Sequence, residues 1–194
     1  MDYPGTDAAL VTAARDGDQA AMDRLVDESL GYVLRWTARL AGGQVDPEDA
    51  AHDVIMVLIT RLHTLREPEQ FPYWLFGTTR HVISGHRRAS WLKRWVPGRD
   101  PEAVADEDPR TGYTPSDCAD VVDLVLGHLS ARQREVLVLC DIEERSATEA
   151  GVVLGVPPGT VKSRLRVARE KFRKIARRLR VEDQLVEAAT GRLS

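Results

Sequence analysis

The stretch from Ser146 to Arg180, SATEAGVVLGVPPGTVKSRLRVAREKFRKIARRLR, decides the fold of the C-terminal half of this chain. Ser146 and Glu149 have the spacing of a capping box, which predicts that a helix begins there. The glycines and prolines of residues 155–159 then predict a tight turn. From about Thr160 to Arg180, apolar residues recur in steps of three and four, which predicts a second, longer helix. Two helices joined by a short turn are typical of a helix-turn-helix.

The second of these helices is strongly basic. Residues 159–180 contain ten lysines and arginines against one acid, Glu170, which leaves a net charge of +9. A helix of this kind fits the major groove of DNA, where arginine and lysine pair with guanine, and its N-terminus favours a phosphate. The sequence therefore predicts duplex DNA binding, with packing on a domain or a membrane as the alternative. With Val161 and Leu165 packed inward, the outward residues are Lys162, Ser163, Arg166 and Arg169.

Upstream of this motif the pattern is also helical. Asp117 is predicted to start a helix that runs through Leu129, and Ser130 with Gln133 forms another capping box. Residues 118–182 are therefore predicted to form one domain, followed by a short tail, 183–194. Residues 96–117 contain four prolines, two glycines and six acids, which indicates a flexible linker.

The N-terminal residues, 1–95, are predicted to form a second helical domain of four helices. The second helix, about Gln19 to Leu40, has Leu30 and Leu34 on its apolar stripe. Asp46 is expected to cap the third helix, with Pro47 at its first position. The expected fold is thus all-α, with two small helical domains joined by an acidic, proline-rich linker. The fourth helix is predicted from about Pro72 to Arg88, with a buried face of Trp74, Leu75, Thr78 and Val82.

Composition excludes several classes of protein. The chain has 194 residues, a net charge of −3 and 43% hydrophobic residues, which is typical of a globular protein. No apolar run is long enough to span a bilayer, and the N-terminus lacks the pattern of a signal peptide. Two cysteines are too few for a disulfide framework. A cytoplasmic location without membrane insertion is therefore expected.

Acidic residues gather in the N-terminal part, where residues 1–60 carry eleven acids and four arginines. Asp49 and Asp53 lie four apart on one helix face, with Glu48 and His52 nearby, a pattern that also suits a metal site or an acid–base site. A metal needs at least three converging ligands, and no second cluster is visible. Helix capping or an acidic protein-binding face is the better interpretation, and no metal or cofactor is expected.

A second candidate surface is the stretch from Trp74 to Arg94, in which the cationic residues of 80–94 are interleaved with aromatic residues. Aromatic rings and cations together suit single-stranded nucleic acid, because bases stack while phosphates are neutralised. The alternative is that the rings belong to the core and the cations end a helix favourably. Ser90 and Lys93 formally match the Ser-x-x-Lys pattern of some hydrolases, but the companion motifs are absent. The chain is therefore not expected to be an enzyme.

Three stretches together resemble the small, two-domain, extracytoplasmic-function group of bacterial RNA polymerase sigma factors. They are DPEDAAHDV at residues 46–54, FPYWL at residues 71–75 with the basic helix after it, and LSARQREVL at residues 129–137, which continues into LGVPPGTVKSRL at residues 154–165. Three features depart from the family pattern, and one of them is that residues 146–149, SATE, lack the usual aromatic. His81 stands where an asparagine is common, and Asp141 stands where an apolar or basic residue is usual.

The resemblance implies a role for each surface. The acidic helix would bind the clamp helices of the largest polymerase subunit through Asp46, Glu48, Asp49 and Asp53. The melted −10 promoter element would be captured by Arg66, Glu67, Glu69, Gln70, Arg80, His81, Arg87 and Arg88. The duplex −35 element would be bound by Thr160, Lys162, Ser163, Arg166 and Arg169.

Further expected partners are the flap of the second-largest polymerase subunit and, in many members of the family, an anti-sigma factor. A different class of protein stays open as the alternative. A stand-alone LuxR-type regulator would also use a helix-turn-helix, but it would bind duplex DNA tightly without polymerase.

Overall fold

The computed structural model describes residues 7–94 and 118–179, and the regular elements among them are all helical. The chain divides into two compact units, Met1–Val96 and Pro97–Ser194. The prediction of an all-α fold with two helical units is confirmed. The predicted linker, 96–117, and the predicted tail, 183–194, lie outside the described residues.

The first unit is a bundle of four helices in which α2 packs against the other three and α3 also packs against α4. Short 3-10 turns follow α2 and α3 and precede α4. The helices are α1 (Ala8–Arg15), α2 (Gln19–Ala41), α3 (Pro47–Arg61) and α4 (Phe71–Arg94).

Aspartates cap the first three helices, because a carboxylate accepts hydrogen bonds from the unpaired N–H groups of a first turn. Asp7 accepts from the backbone N–H groups of Ala9 and Leu10. Asp18 accepts from Ala21, 3.0 Å away. The carboxylate of Asp46 accepts from the backbone N–H groups of residues 48 and 49, at 2.8 and 3.2 Å. The predicted start of α3, with Pro47 at its first position, is confirmed.

The buried faces of α2 and α4 differ from the predicted stripes. Trp36 is fully buried and its ring meets the ring of Phe76 edge-on, with the centroids 5.2 Å apart. Leu30 and Leu34, predicted to be inside, are each 42% exposed. On α4 the buried residues are Phe71, Pro72, Leu75, Phe76, Thr79 and Ile83, whereas Trp74, Thr78 and Val82 are half-buried.

The second unit contains α5 (Cys118–Gly127), α6 (Ala131–Leu137), α7 (Ala147–Leu154) and α8 (Pro158–Arg178), and α8 packs against the other three. A π-helical turn, Val138–Ile142, continues α6. Both predicted capping boxes are present. The Ser146 backbone N–H donates to the Glu149 carboxylate at 2.9 Å, and the Glu149 N–H donates back to the Ser146 hydroxyl at 3.2 Å.

A Schellman motif joins α7 to α8. Gly155 has φ 65°, a left-handed conformation that glycine adopts without a steric penalty. The N–H of Val156 donates to the carbonyl of Gly151 at 3.0 Å, which closes the motif. A Cβ at Gly151 would lie 2.7 Å from the Val156 carbonyl oxygen, so the turn also requires glycine there. The helix-turn-helix is thus α7 and α8, and α8 starts two residues earlier than predicted because Pro158 occupies its first position.

Candidate nucleic-acid and protein interfaces

The acidic residues predicted to bind polymerase lie at the start of α3 and are all exposed. Asp46 uses its carboxylate to cap the helix, so one of its oxygen atoms is already engaged. Glu48 and Asp49 lie in the first turn, where negative charge is favoured by the helix dipole. These two side chains form an acidic edge at the N-terminal end of α3.

Asp53 connects α3 to α4. Its Oδ2 atom lies 2.7 Å from Nε2 of His86, and the two residues are 33 positions apart in the chain. The contact turns the Asp53 carboxylate toward α4 rather than leaving it wholly available to a partner protein. The structure therefore separates Asp53 from the acidic edge formed by Glu48 and Asp49.

A groove of about 610 Å³ runs between α3 and α4. Its wall on α3 and the following turn contains Val57, Arg61 and Thr64, which are spaced by four and three residues. The opposite wall repeats this spacing with Trp74, Thr78 and His81. An aromatic ring, a cation and several hydrogen-bonding groups thus line one open groove, and only His81 among the polar residues was predicted. The four-and-three spacing indicates that each set of residues shares one face, but which faces meet across the groove depends on how α3 packs against α4.

The other residues predicted to contact the melted strand divide into two groups. Residues 66, 67, 69 and 70 are exposed around the 3-10 turn before α4, and the Arg66 carbonyl accepts a hydrogen bond from Arg15 at 3.4 Å. On α4, Arg88 is exposed and Arg80 is half-buried. Arg87 is also half-buried, and its guanidinium donates to the Leu40 carbonyl near the end of α2, at 3.4 Å. Arg87 therefore supports the packing of α4 on α2.

The exposed face of α8 carries most of the residues predicted to bind duplex DNA. Lys162, Ser163 and Arg166 are exposed, and Thr160 is half-buried in the first turn. The Ser163 hydroxyl donates to the Thr160 carbonyl at 3.0 Å, which leaves its oxygen free to accept. Arg166 lies 4.0 Å from Glu170, and both side chains are about three-quarters exposed. Such an exposed pair is weak, so it leaves Arg166 available to DNA.

Arg169 is held in place by a bidentate ion pair. It donates to both carboxylate oxygens of Asp141 on the π-helical turn, at 2.9 and 2.5 Å. These hydrogen bonds raise the pKa of Arg169 above its ordinary value. At about 100° per residue, Arg169 points about 60° away from Arg166 around α8. Arg169 thus makes a contact within the second unit. Its partner is Asp141, the residue that stands where an apolar or basic residue was expected.

An apolar groove of about 410 Å³ lies beside this ion pair in the second unit. Phe172 is half-buried here and also packs on Val121, Val125 and Ala176. The ion pair and Arg173 supply charge at the groove, whose apolar lining is Val122, Leu126, Leu137, Ile142 and Phe172.

Across residues 7–94 and 118–179, no group of three or more histidines, cysteines, aspartates and glutamates is arranged to hold a metal ion. Within the same ranges, none of the helices combines the length and the apolar character that a membrane span requires.

Two families match the chain, one in each unit. The family described as Sigma-70 region 2 matches residues 25–96, and the family described as Sigma-70, region 4 matches residues 119–172. The chain is 34% identical over 163 residues to the ECF RNA polymerase sigma factor SigE of Mycolicibacterium smegmatis, a match that covers 81% of this chain and 63% of SigE. The chain therefore spans just under two thirds of the length of SigE. It is also 26% identical over 181 residues to the ECF RNA polymerase sigma factor SigW of Bacillus subtilis, covering 87% of this chain and 96% of SigW.

Solved structures share the fold. CnrH, solved in complex with the cytosolic domain of CnrY, aligns with a TM-score of 0.61 at 27% identity, over 88% of this chain and 96% of that chain. The sigma factor RpoE from Bartonella quintana, solved with the anti-sigma factor NepR, aligns with a TM-score of 0.64 at 24% identity, over 82% of this chain and 97% of that chain. Regions 2 and 4 match in order, one in each unit, and relatives of one group match both. The chain therefore belongs to the sigma-70 family, as a member of its extracytoplasmic-function group.

Proposed function

We propose that this chain is a non-enzymatic transcription initiation factor that brings core RNA polymerase to a specific set of promoters. The observation that carries the proposal is the match to regions 2 and 4 of one sigma family, each confined to one compact unit. The first unit binds polymerase and the melted −10 element, and the second binds the duplex −35 element.

The groove between α3 and α4 supports the contact with the melted strand. Its volume of about 610 Å³ and its aromatic, cationic and hydrogen-bonding lining suit an unstacked base. Trp74 supplies the apolar face, while Arg61 and His81 supply polar groups. The exposed residues 66–70 connect the two stretches of chain that line this groove. They contact the same DNA strand, together with Arg80 and Arg88.

The polymerase contacts are proposed from charge and shape. Glu48 and Asp49 bind the clamp helices of the largest subunit through the acidic edge of α3. Asp46 at the cap and Asp53 on the next turn, which is also paired with His86, add negative charge to the same helix. The apolar groove of the second unit takes the flap of the second-largest subunit, since its lining suits an apolar partner segment. An anti-sigma factor controls the chain, a proposal supported by the structure of RpoE, which was solved in complex with the anti-sigma factor NepR.

Run-off transcription tests the proposal. Core RNA polymerase is incubated with fragmented genomic DNA, with and without the full-length protein. We expect discrete transcripts that depend on the protein and whose start sites share aligned upstream elements. Absence of new transcripts, together with failure to co-elute with core polymerase, would refute the function.

A DNA-binding measurement distinguishes a sigma factor from the alternative, a stand-alone LuxR-type regulator. A LuxR-type protein binds its duplex site tightly as the free protein, whereas a sigma factor gains most of its promoter affinity after polymerase positions both units. Fluorescence anisotropy with a labelled promoter duplex, with and without core polymerase, distinguishes the two. Equal affinity in both mixtures would favour the regulator.

A further inference from the structure

Val167 is an apolar side chain on the outer surface of α8, with 43% of its surface exposed. The structure describes the whole of α8, and its other large apolar side chains are more covered. Val161 is fully buried, and Leu165, Phe172 and Ile175 are half-buried. Strong apolar exposure on this helix is therefore confined to one position.

That position lies on the face that carries the DNA-binding candidates. Ser163 and Val167 are four residues apart, so they are neighbours on the helix surface. Val161 and Ala168, which are buried, mark the inward direction of α8. At about 100° per residue, Val167 points about 110° away from that direction, next to Ser163 and one turn further along.

The surrounding charges make an apolar residue informative here. Lys162, Lys171 and Lys174 are exposed cations of the same helix, and they suit phosphate groups. Phosphate contacts position a protein on DNA but carry no sequence information. A valine gains nothing from a phosphate, whereas the C5 methyl group of thymine is the apolar group that the major groove displays. Its branched side chain has essentially one rotamer in a helix, so little entropy is lost on contact.

We propose that Val167 is a specificity-determining residue of α8, whose methyl groups contact the C5 methyl of a thymine in the −35 element. This inference rests on the proposed function, because it requires α8 to lie in the major groove of a promoter. Arg166 and Ser163 then contact other base positions on the same face. Burying one methyl group against Val167 corresponds to about a fourfold gain in affinity.

Deoxyuridine scanning tests the contact, because uracil pairs as thymine does but lacks the C5 methyl. The probe is a promoter duplex obtained by run-off transcription, with each thymine of its −35 element replaced singly. Competition binding uses the holoenzyme reconstituted from core polymerase and the full-length chain. We expect one replacement to weaken wild-type binding about fourfold. In the Val167→Ala holoenzyme that replacement should have no further effect.

Val152→Ala is the matched control, since Val152 is 72% exposed on α7 and has the same side chain. The holoenzyme that contains Val152→Ala should still bind the uracil-substituted duplex about fourfold more weakly than the unsubstituted duplex. The proposal is overturned if no single uracil replacement weakens binding, or if the replacement weakens binding of the Val167→Ala holoenzyme as much as that of the wild type. It is also overturned if the −35 element contains no thymine. In each of those cases the holoenzyme still binds its promoter, so the proposed function survives. A holoenzyme that binds no promoter would remove both.

Discussion

The thiol of Cys140 lies half-buried on the π-helical turn after α6. Burial raises its pKa above the ordinary value, and the neighbouring carboxylate of Asp141 raises it further, while Arg169 acts in the opposite direction. At neutral pH the thiol is therefore held protonated. Because the thiolate is the form that alkylating agents attack, the surroundings of this side chain protect it.

We expect iodoacetamide to modify Cys140 several-fold more slowly in the folded protein than in the urea-unfolded chain at pH 7.5. Peptide mass spectrometry follows Cys140 separately from Cys118. Asp141→Asn should accelerate the reaction, because removal of a nearby negative charge lowers the pKa of the thiol. Glu144→Gln neutralises an exposed carboxylate shortly after it and serves as the control. Equal rates in the folded and unfolded chains would contradict this account.

At the scale of the elements, the turn between α7 and α8 depends on two glycines for different reasons. Gly155 supplies a left-handed backbone, and Gly151 allows the carbonyl of Val156 to approach closely. Gly151→Ala should destabilise the second unit by about 1–3 kcal/mol, as overpacking of a closely packed site does. Urea unfolding followed by circular dichroism measures the change, and DNA binding should fall with it.

Gly159→Ala is the matched control for this substitution. A Cβ at Gly159 meets no atom within 4 Å, and the residue lies in the first turn of α8. Its stability should stay unchanged or rise slightly, because alanine favours a helix more than glycine does. If the two variants unfold at the same urea concentration, the close approach at Gly151 is not what the turn requires.

Helix ends were easier to predict than buried faces. Asp46, Ser146 and Glu149 act through local hydrogen bonds, so their spacing in the sequence was sufficient. The faces of α2 and α4 depend on which helices they pack against. Both helices have apolar residues on more than one side, and the aromatic rings of residues 36, 71 and 76 occupy the core. Because these three rings fill the core, Leu30 is left exposed and Trp74 lines the groove between α3 and α4.

Side-chain partners from distant parts of the chain lay beyond prediction. Asp53 and His86 are 33 residues apart, and Asp141 and Arg169 are 28 apart. Each pair exists only because two helices or turns pack at a particular angle and register. The charge pattern therefore predicted which surfaces are acidic or basic, but it did not predict that Arg169 is engaged within its own unit.

At the scale of the whole molecule, the acidic edge of α3 and the basic outer face of α8 belong to different units, so their functions should be separable. Asp49→Arg places a cation at the acidic edge of α3 and should lower affinity for core polymerase about tenfold or more, since like charges across an interface repel. Co-elution and fluorescence titration with core polymerase measure the effect. Asp27→Arg makes the same change at an exposed site on α2 and should leave affinity nearly unchanged. Normal affinity in Asp49→Arg would remove this edge from the interface.

The converse change lies in the second unit. Arg166→Ala removes an exposed guanidinium from the outward face of α8 and should lower promoter-specific transcription about tenfold, the expected cost of one good base contact. Binding to core polymerase should remain as in the wild type. Arg132→Ala removes an exposed arginine from α6 and serves as the control in run-off transcription. Loss of polymerase binding in Arg166→Ala would contradict the division of labour between the units.

The ion pair between Asp141 and Arg169 has a consequence for how the protein distinguishes promoters from bulk DNA. Duplex DNA carries condensed counterions, and each protein cation that neutralises a phosphate releases them. Arg169 already donates two hydrogen bonds to Asp141, so we expect it to release none if α8 binds the major groove as proposed. The slope of log affinity against log salt concentration should then be shallower by about 0.9 than it would be if Arg169 also neutralised a phosphate. Contacts with phosphates, which bind DNA of any sequence, then supply a smaller share of the binding free energy, and contacts with the bases supply a larger share.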